Sequence, residues 1–129
     1  MAKDTEHFKV KEFACKCGCG FGIKEGDVDQ RLIDMCETIR QELGVPVNVN
    51  SGCRCPAHNA RVGGVKGSQH MQGKAADLSC ELGAKKMYET AQKLKADGKL
   101  PALDYCKRYR TWIHIDCGGK RRNMWEVSA

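Results

Sequence analysis

No stretch of this 129-residue chain is apolar for long enough to cross a membrane as a helix. The first eight residues, Met1 to Phe8, are polar and charged and lack the apolar core of a secretory signal. The expectation is a chain that stays in the cytoplasm or leaves it by lysis or another non-classical route. No internal repeat and no long low-complexity segment occurs, which excludes repeat arrays and favours a single domain over residues 1–129. The helix-borne zinc motif His-Glu-x-x-His is also missing. Complete pairing of the cysteines is impossible, because there are nine of them. Without an export signal, reduced thiols or metal ligands are expected in place of a disulfide framework.

The chain does carry a net positive charge of +6. That favours anionic partners such as nucleic acid, a cell-wall polymer or a membrane surface, and equally describes a soluble protein with a basic face. The charges cluster only briefly, at Lys107 to Arg110 and Lys120 to Arg122.

Residues 1–26 read as a polar, Cys/Gly-rich lead-in. Asp27 is a candidate helix cap, followed by Leu32, Ile33, Cys36, Ile39 and Leu43 at helical spacing and by Gly44 as a stop. Val45, Val47 and Val49 alternate with Pro46, Asn48 and Asn50 in a short half-buried strand. Residues 51–73 read as a long, glycine-rich loop of the kind that is usually functional. A second strand starts at Ala75, with Ala75, Asp77 and Ser79 on one face. Ala84, Met87, Ala91 and Leu94 form the core stripe of a second helix, which Gly98 ends. A third strand, Thr111 to Cys117, turns Ile113, Ile115 and Cys117 one way and Trp112, His114 and Asp116 the other. The basic tail, residues 118–129, has no clear periodicity. These elements do not alternate as crossover units, so the fold class expected is α+β, a small antiparallel sheet with two main helices packed on it.

One segment concentrates chemistry. In Ser68-Gln69-His70-Met71-Gln72-Gly73-Lys74-Ala75-Ala76-Asp77, Gly73 lets the chain reverse, so that His70 can sit opposite Asp77. His114 lies on a strand whose other face is apolar, and its own face must look into a cleft or solvent. Two imidazoles and one carboxylate converging on a cleft suit a catalytic zinc with water in the fourth position. Taken singly, each residue also has an ordinary reading, the histidines as hydrogen-bonded surface groups and the aspartate as a turn or cap.

The run fits the form Ser-x-His-x-x-Gly-x-Ala-x-Asp. Ser51-Gly52-Cys53-Arg54 and Asn59-Ala60-Arg61-Val62-Gly63-Gly64 precede it, and Ile113-His114-Ile115-Asp116 follows. Together, over roughly residues 8 to 118, these motifs resemble the D-alanyl-D-alanine carboxypeptidase-like metallopeptidases of the M15 type. That group includes phage endolysins and cell-wall peptidases and shares a metal-site fold with the hedgehog signalling domain. The resemblance implies one catalytic zinc held by His70, Asp77 and His114. It also implies a substrate-binding Arg54, whose fork suits a carboxylate, and a Ser68 near metal and substrate. The implied activity is hydrolysis of a peptide bond in peptidoglycan stem or crosslink peptides, by a monomer that neither binds nucleic acid nor inserts into membranes. A non-catalytic zinc module of the same fold is the alternative.

One departure from the pattern matters. Relatives often carry a base two or three residues before the last histidine, where this chain has Trp112 and Thr111. Asp116, two residues after His114 on the same strand face, is the catalytic base expected in their place, with Asp104 as the other nearby acid. Asp116 can also be a ligand-orienting partner or a salt bridge to Arg121 or Arg122. Among the cysteines, Cys15, Cys17 and Cys19 can join Cys53 and Cys55 in a structural metal site or in disulfides. Their Cys-x-Cys spacing weighs against a second metal, although Cys15 and Cys19 do have three residues between them. Cys36, Cys80 and Cys117 sit on apolar faces and read as core.

Overall fold

A computed structural model describes residues 2–24 and 26–128. Three helices, α1 (Gln30–Leu43), α2 (Pro56–Arg61) and α3 (Ala84–Ala96), accompany five strands. The strands are β1 (Val47–Ser51), β2 (Ala75–Cys80), β3 (Tyr105–Arg108), β4 (Ile113–Asp116) and β5 (Trp125–Val127). They form one sheet in the order β1-β2-β4-β3-β5. The class is α+β, as the pattern predicts, with α1 and α3 as the two main helices.

Helix α1 buries Leu32, Ile33, Cys36 and Ile39 of the stripe read from sequence, leaves Leu43 half-buried, and ends at Gly44 in the left-handed region at φ 70°. Its cap is Asp29, whose side chain accepts from the Arg31 N–H at 2.9 Å. Asp27, the expected cap, lies two residues earlier and accepts from the N–H groups of Gly22 and Lys24. Ile113 and Ile115 on β4, Ala76 and Leu78 on β2, and Met87, Ala91 and Leu94 on α3 share one core with the α1 stripe. The opposite face of β2 and β4 carries Asp77, Ser79, His114 and Asp116 beside the small Ala75.

The sheet departs from the antiparallel expectation at one edge. Four strands pair antiparallel, and β5 runs parallel to β3. The basic tail thus contributes a strand, and Trp125 packs edge-on against Tyr88 of α3, with ring centroids 5.7 Å apart. The lead-in is likewise part of the fold. Its 3-10 turn Val10–Phe13 seats Phe8 and Phe13 in the core, 1% and 0% exposed. Within 51–73, the expected loop, lie α2 and a second 3-10 turn, Gln69–Gln72. Among the described residues, no helix is long and apolar enough to cross a membrane.

Candidate metal centre

Asp77 on β2 and His114 on β4 are directly paired across the antiparallel ladder. Side chains so paired share a face with Cβ atoms about 5 Å apart. His70 arrives from the 3-10 turn immediately before β2. Ser68 caps this turn, its Oγ accepting from the His70 N–H at 3.2 Å. Gly73 ends it at φ 69°, pressed so closely on the Asp27 carbonyl that a Cβ there would collide with it. Any side chain at 73 would therefore force the turn between His70 and Asp77 to shift against the Asp27 backbone. His70 and Asp77 are buried and His114 is nearly so.

The hydrogen bonds of the two rings fix which nitrogens face inward. His70 Nδ1 lies 2.7 Å from the Gly52 carbonyl oxygen, which only accepts, so Nδ1 carries the proton and Nε2 a lone pair. His114 Nε2 lies 2.7 Å from Asp116 Oδ2 and donates to it, which leaves the lone pair on Nδ1. Both lone-pair nitrogens stand 3.2 Å from the same atom, Asp77 Oδ1. The three inward atoms all lie within 4.8 Å of one another. Three acceptors crowded together need a cation between them, so this donor set fits a metal ion with two nitrogens and one oxygen as ligands. Burial alone would raise the Asp77 carboxyl, but without a metal the two rings can take up protons and donate to it, and His114 and His70 then outweigh burial and hold it well below the usual carboxylate range. Asp77 is therefore an anion ready to ligate.

Each of these residues is in turn held by hydrogen-bonded partners. Arg54 donates to Asp77 Oδ2 at 3.0 Å, to Ser51 Oγ at 2.9 Å and to Asn59 Oδ1 at 3.2 Å. Its side chain is only 12% exposed. The guanidinium thus orients the Asp77 carboxylate, a use that substrate binding alone does not predict. Ser51 reaches it through an irregularity in β1 between Val49 and Ser51 that brings Ser51 opposite Asp77. Gly52, Asn59 and Ser51 stand in the two motifs preceding His70. Their roles as carbonyl acceptor and guanidinium clamps depend on loop geometry that spacing does not encode.

Asp116 is fully buried, and its Oδ2 accepts from both His114 Nε2 and Arg121, the latter at 3.0 Å. It touches the outer nitrogen of His114, the position of a partner that orients the ring. Its Oδ1 has no partner among the described residues. Arg121 also stacks on the Tyr105 ring, 4.0 Å from the centroid, and Tyr105 packs edge-on against His114. Asp104 instead accepts from the Gly119 N–H at 2.9 Å. Thr111 is exposed, and Trp112 stacks flat on Tyr109 at 4.6 Å.

A family model described as Peptidase M15 matches residues 6–116, nearly the whole fold and all three inward-facing ligands. The chain belongs to the peptidase M15 family. No curated protein matches it. Membership makes the protein a member of a hydrolase family that acts on peptides. The matched region ends at Asp116, so β5 lies beyond it.

Proposed function

We propose that this M15 protein is a zinc-dependent peptidase that hydrolyses peptide bonds in bacterial peptidoglycan, as a D-alanyl-D-alanine carboxypeptidase or an endopeptidase. One observation carries the reading: two imidazole lone pairs and a carboxylate oxygen converge from His70, His114 and Asp77. M15 peptidases are zinc-dependent, and zinc held there supplies a Lewis acid for the scissile carbonyl and a bound water with a pKa near about 7. Asp77 contributes the negative charge and Arg54 keeps it from rotating. Asp116 keeps the outer nitrogen of His114 protonated and the inner one free. Beside Arg54, a groove of about 430 Å³ lined by Phe21, Arg54, Cys55, Pro56, Met71 and Gln72 suits a peptide with a carboxylate end. The net charge of +6 favours an anionic wall.

A non-catalytic zinc module is the second reading. It is favoured by Thr111 and Trp112 before the last histidine and by the commitment of Asp116 to His114 and Arg121. Mass spectrometry of purified muropeptides incubated with the zinc-loaded protein separates the two. Loss of a terminal D-alanine identifies a carboxypeptidase and scission of a crosslink an endopeptidase, each abolished by a chelator. No new product with a full zinc complement establishes the module instead.

A further inference from the structure

Four sulfur atoms gather next to the segment that carries Arg54. We propose that Cys15, Cys17, Cys19 and Cys55 form a second metal site, a structural tetrathiolate for one zinc ion, which fastens the N-terminal segment to the loop that carries Arg54. The Sγ atoms of these four residues all lie within 4.8 Å of one another. Cys15 Sγ stands 3.4 Å from Cys17 Sγ, and Cys17 Sγ stands 3.6 Å from Cys55 Sγ. Four thiolates at about 2.3 Å from one tetrahedral zinc would be about 3.8 Å apart. A bonded pair would be at about 2.0 Å, so these are neighbours around a shared centre and not disulfides. An all-sulfur tetrahedral set selects zinc or iron–sulfur chemistry, and sulfurs this close enclose a single ion.

The backbone explains how ligands with only one residue between them meet. Along an extended chain, Cys15, Cys17 and Cys19 would stand about 7 Å apart in succession. Gly18 and Gly20 take φ 80° and 93°, left-handed values that other residues rarely adopt, and curl the chain on itself. The Gly18 N–H closes the turn on the Cys15 carbonyl at 3.2 Å. Backbone donors already point at the sulfurs: the Cys55 N–H at Cys15 Sγ and the His58 N–H at Cys55 Sγ, each 3.4 Å. Such bonds stabilise thiolates and orient them as ligands. Cys53 does not join. It is 2% exposed, and its thiol contacts the Asp27 carbonyl.

The site has a structural task independent of whether the histidine centre hydrolyses anything. Arg54 sits between Cys53, whose N–H donates to the Phe13 carbonyl at 2.7 Å, and Cys55. A metal on Cys55 therefore fixes the far end of the short segment from which Arg54 reaches Asp77.

The test counts metal in protein purified reduced and anaerobically with zinc. Wild type should hold two zinc ions per chain, His70→Ala/His114→Ala one, and Cys17→Ser/Cys19→Ser one. Cobalt substitution reports the ligands without reference to activity. The histidine variant, which keeps all four cysteines, should show the intense near-ultraviolet thiolate-to-cobalt band, and the cysteine variant should lack it. Because this readout uses the intact cluster, it stands even where the cysteine variant fails to fold. One zinc in wild type with none in the histidine variant would overturn the proposal. So would a cobalt-loaded histidine variant without the thiolate band, or mass spectrometry showing two disulfides among the four residues.

Discussion

As proposed metal sites, the histidine centre and the cysteine cluster are two solutions to the same problem, bringing ligands together around a cation. The first is built on the sheet. Asp77 and His114 are fixed by strand register, buried or nearly so, and each held by a further side chain, Arg54 or Asp116. The second is built on loops. Cys17 and Cys19 are exposed, and glycine turns with backbone N–H groups take the place that strands and side chains hold in the first. Preorganised by the core, the histidine centre should keep its shape without metal. The cysteine segment has little besides a shared ion to hold its exposed end.

The sharpest way to break this comparison is to remove one centre and watch the other. His70→Ala or His114→Ala should abolish metal at the histidine centre and lower hydrolysis by about 10³-fold or more, because the Lewis acid supplies several kcal/mol. The fold and any metal on the cysteines should remain, as seen by circular dichroism and metal analysis. Unchanged zinc at the histidine centre in both variants would show that the ligand assignment is wrong.

Asp116→Asn tests whether the outer partners matter through the metal or through the chemistry. As an orienting residue, Asp116 should cost about 10–100-fold in zinc affinity when replaced, with turnover largely restored at saturating zinc. As a general base it would leave zinc intact and lower kcat by about 100-fold at any zinc concentration. Titrating zinc while measuring both affinity and kcat distinguishes them, and Asp104→Asn should change neither.

How much of this is legible in the sequence differs between the two regions for a physical reason. Helices α1 and α3 and strands β1, β2 and β4 announce themselves through periodicity, because each buries one face. The triad is readable because Gly73 makes His70 and Asp77 neighbours and the strand pattern assigns His114 a polar face. Strand β3, Tyr105–Arg108, does not alternate because its first two residues are both buried, the three-residue β5 is too short for a period, and the parallel pairing of β5 is set by where the tail returns. The cysteine cluster defeats spacing rules because its fourth ligand, Cys55, comes from a distant loop and the other three rely on left-handed glycines. Period-two reasoning puts Asp116 on the same face as His114, but it does not say which ring nitrogen Asp116 touches.

Arg54→Lys examines the bridge between the regions. Lysine keeps the charge but cannot bind Ser51, Asn59 and Asp77 together through a planar fork. Hydrolysis should fall by about 10-fold, with zinc content and fold kept. A larger rise in KM than fall in kcat would point to substrate contact, and a loss mainly in kcat to a misaligned Asp77. Wild-type kinetics in the variant would remove Arg54 from the site.

The smallest effect concerns a second fastening of the N-terminal segment, one that uses no metal. The His7 N–H donates to Glu37 Oε1 at 2.7 Å, and His7 Nδ1 lies 2.6 Å from Glu37 Oε2. Burial would raise the Glu37 carboxyl, but the bonds from His7 and its neighbours prevail and bring it down to about 2. A carboxyl lowered in the folded state gives stability that is present above its unfolded pKa of about 4.3 and lost as pH falls towards the folded value. Partial exposure of the His7 ring screens the pair, so Glu37→Gln should cost about 1–2 kcal/mol at pH 7. The gap to wild type should shrink steadily between about pH 4.5 and pH 2, as the wild-type carboxyl also becomes neutral. Denaturant titrations of both proteins across that range measure the gap directly, and metal loss at low pH, common to both, cancels in the difference. A gap that does not change with pH would mean that the Glu37→Gln variant loses stability through packing and not through charge. If the gap instead exceeds the cost of Cys17→Ser/Cys19→Ser, the His7–Glu37 pair is the principal fastening of this segment and the cysteine cluster the lesser one.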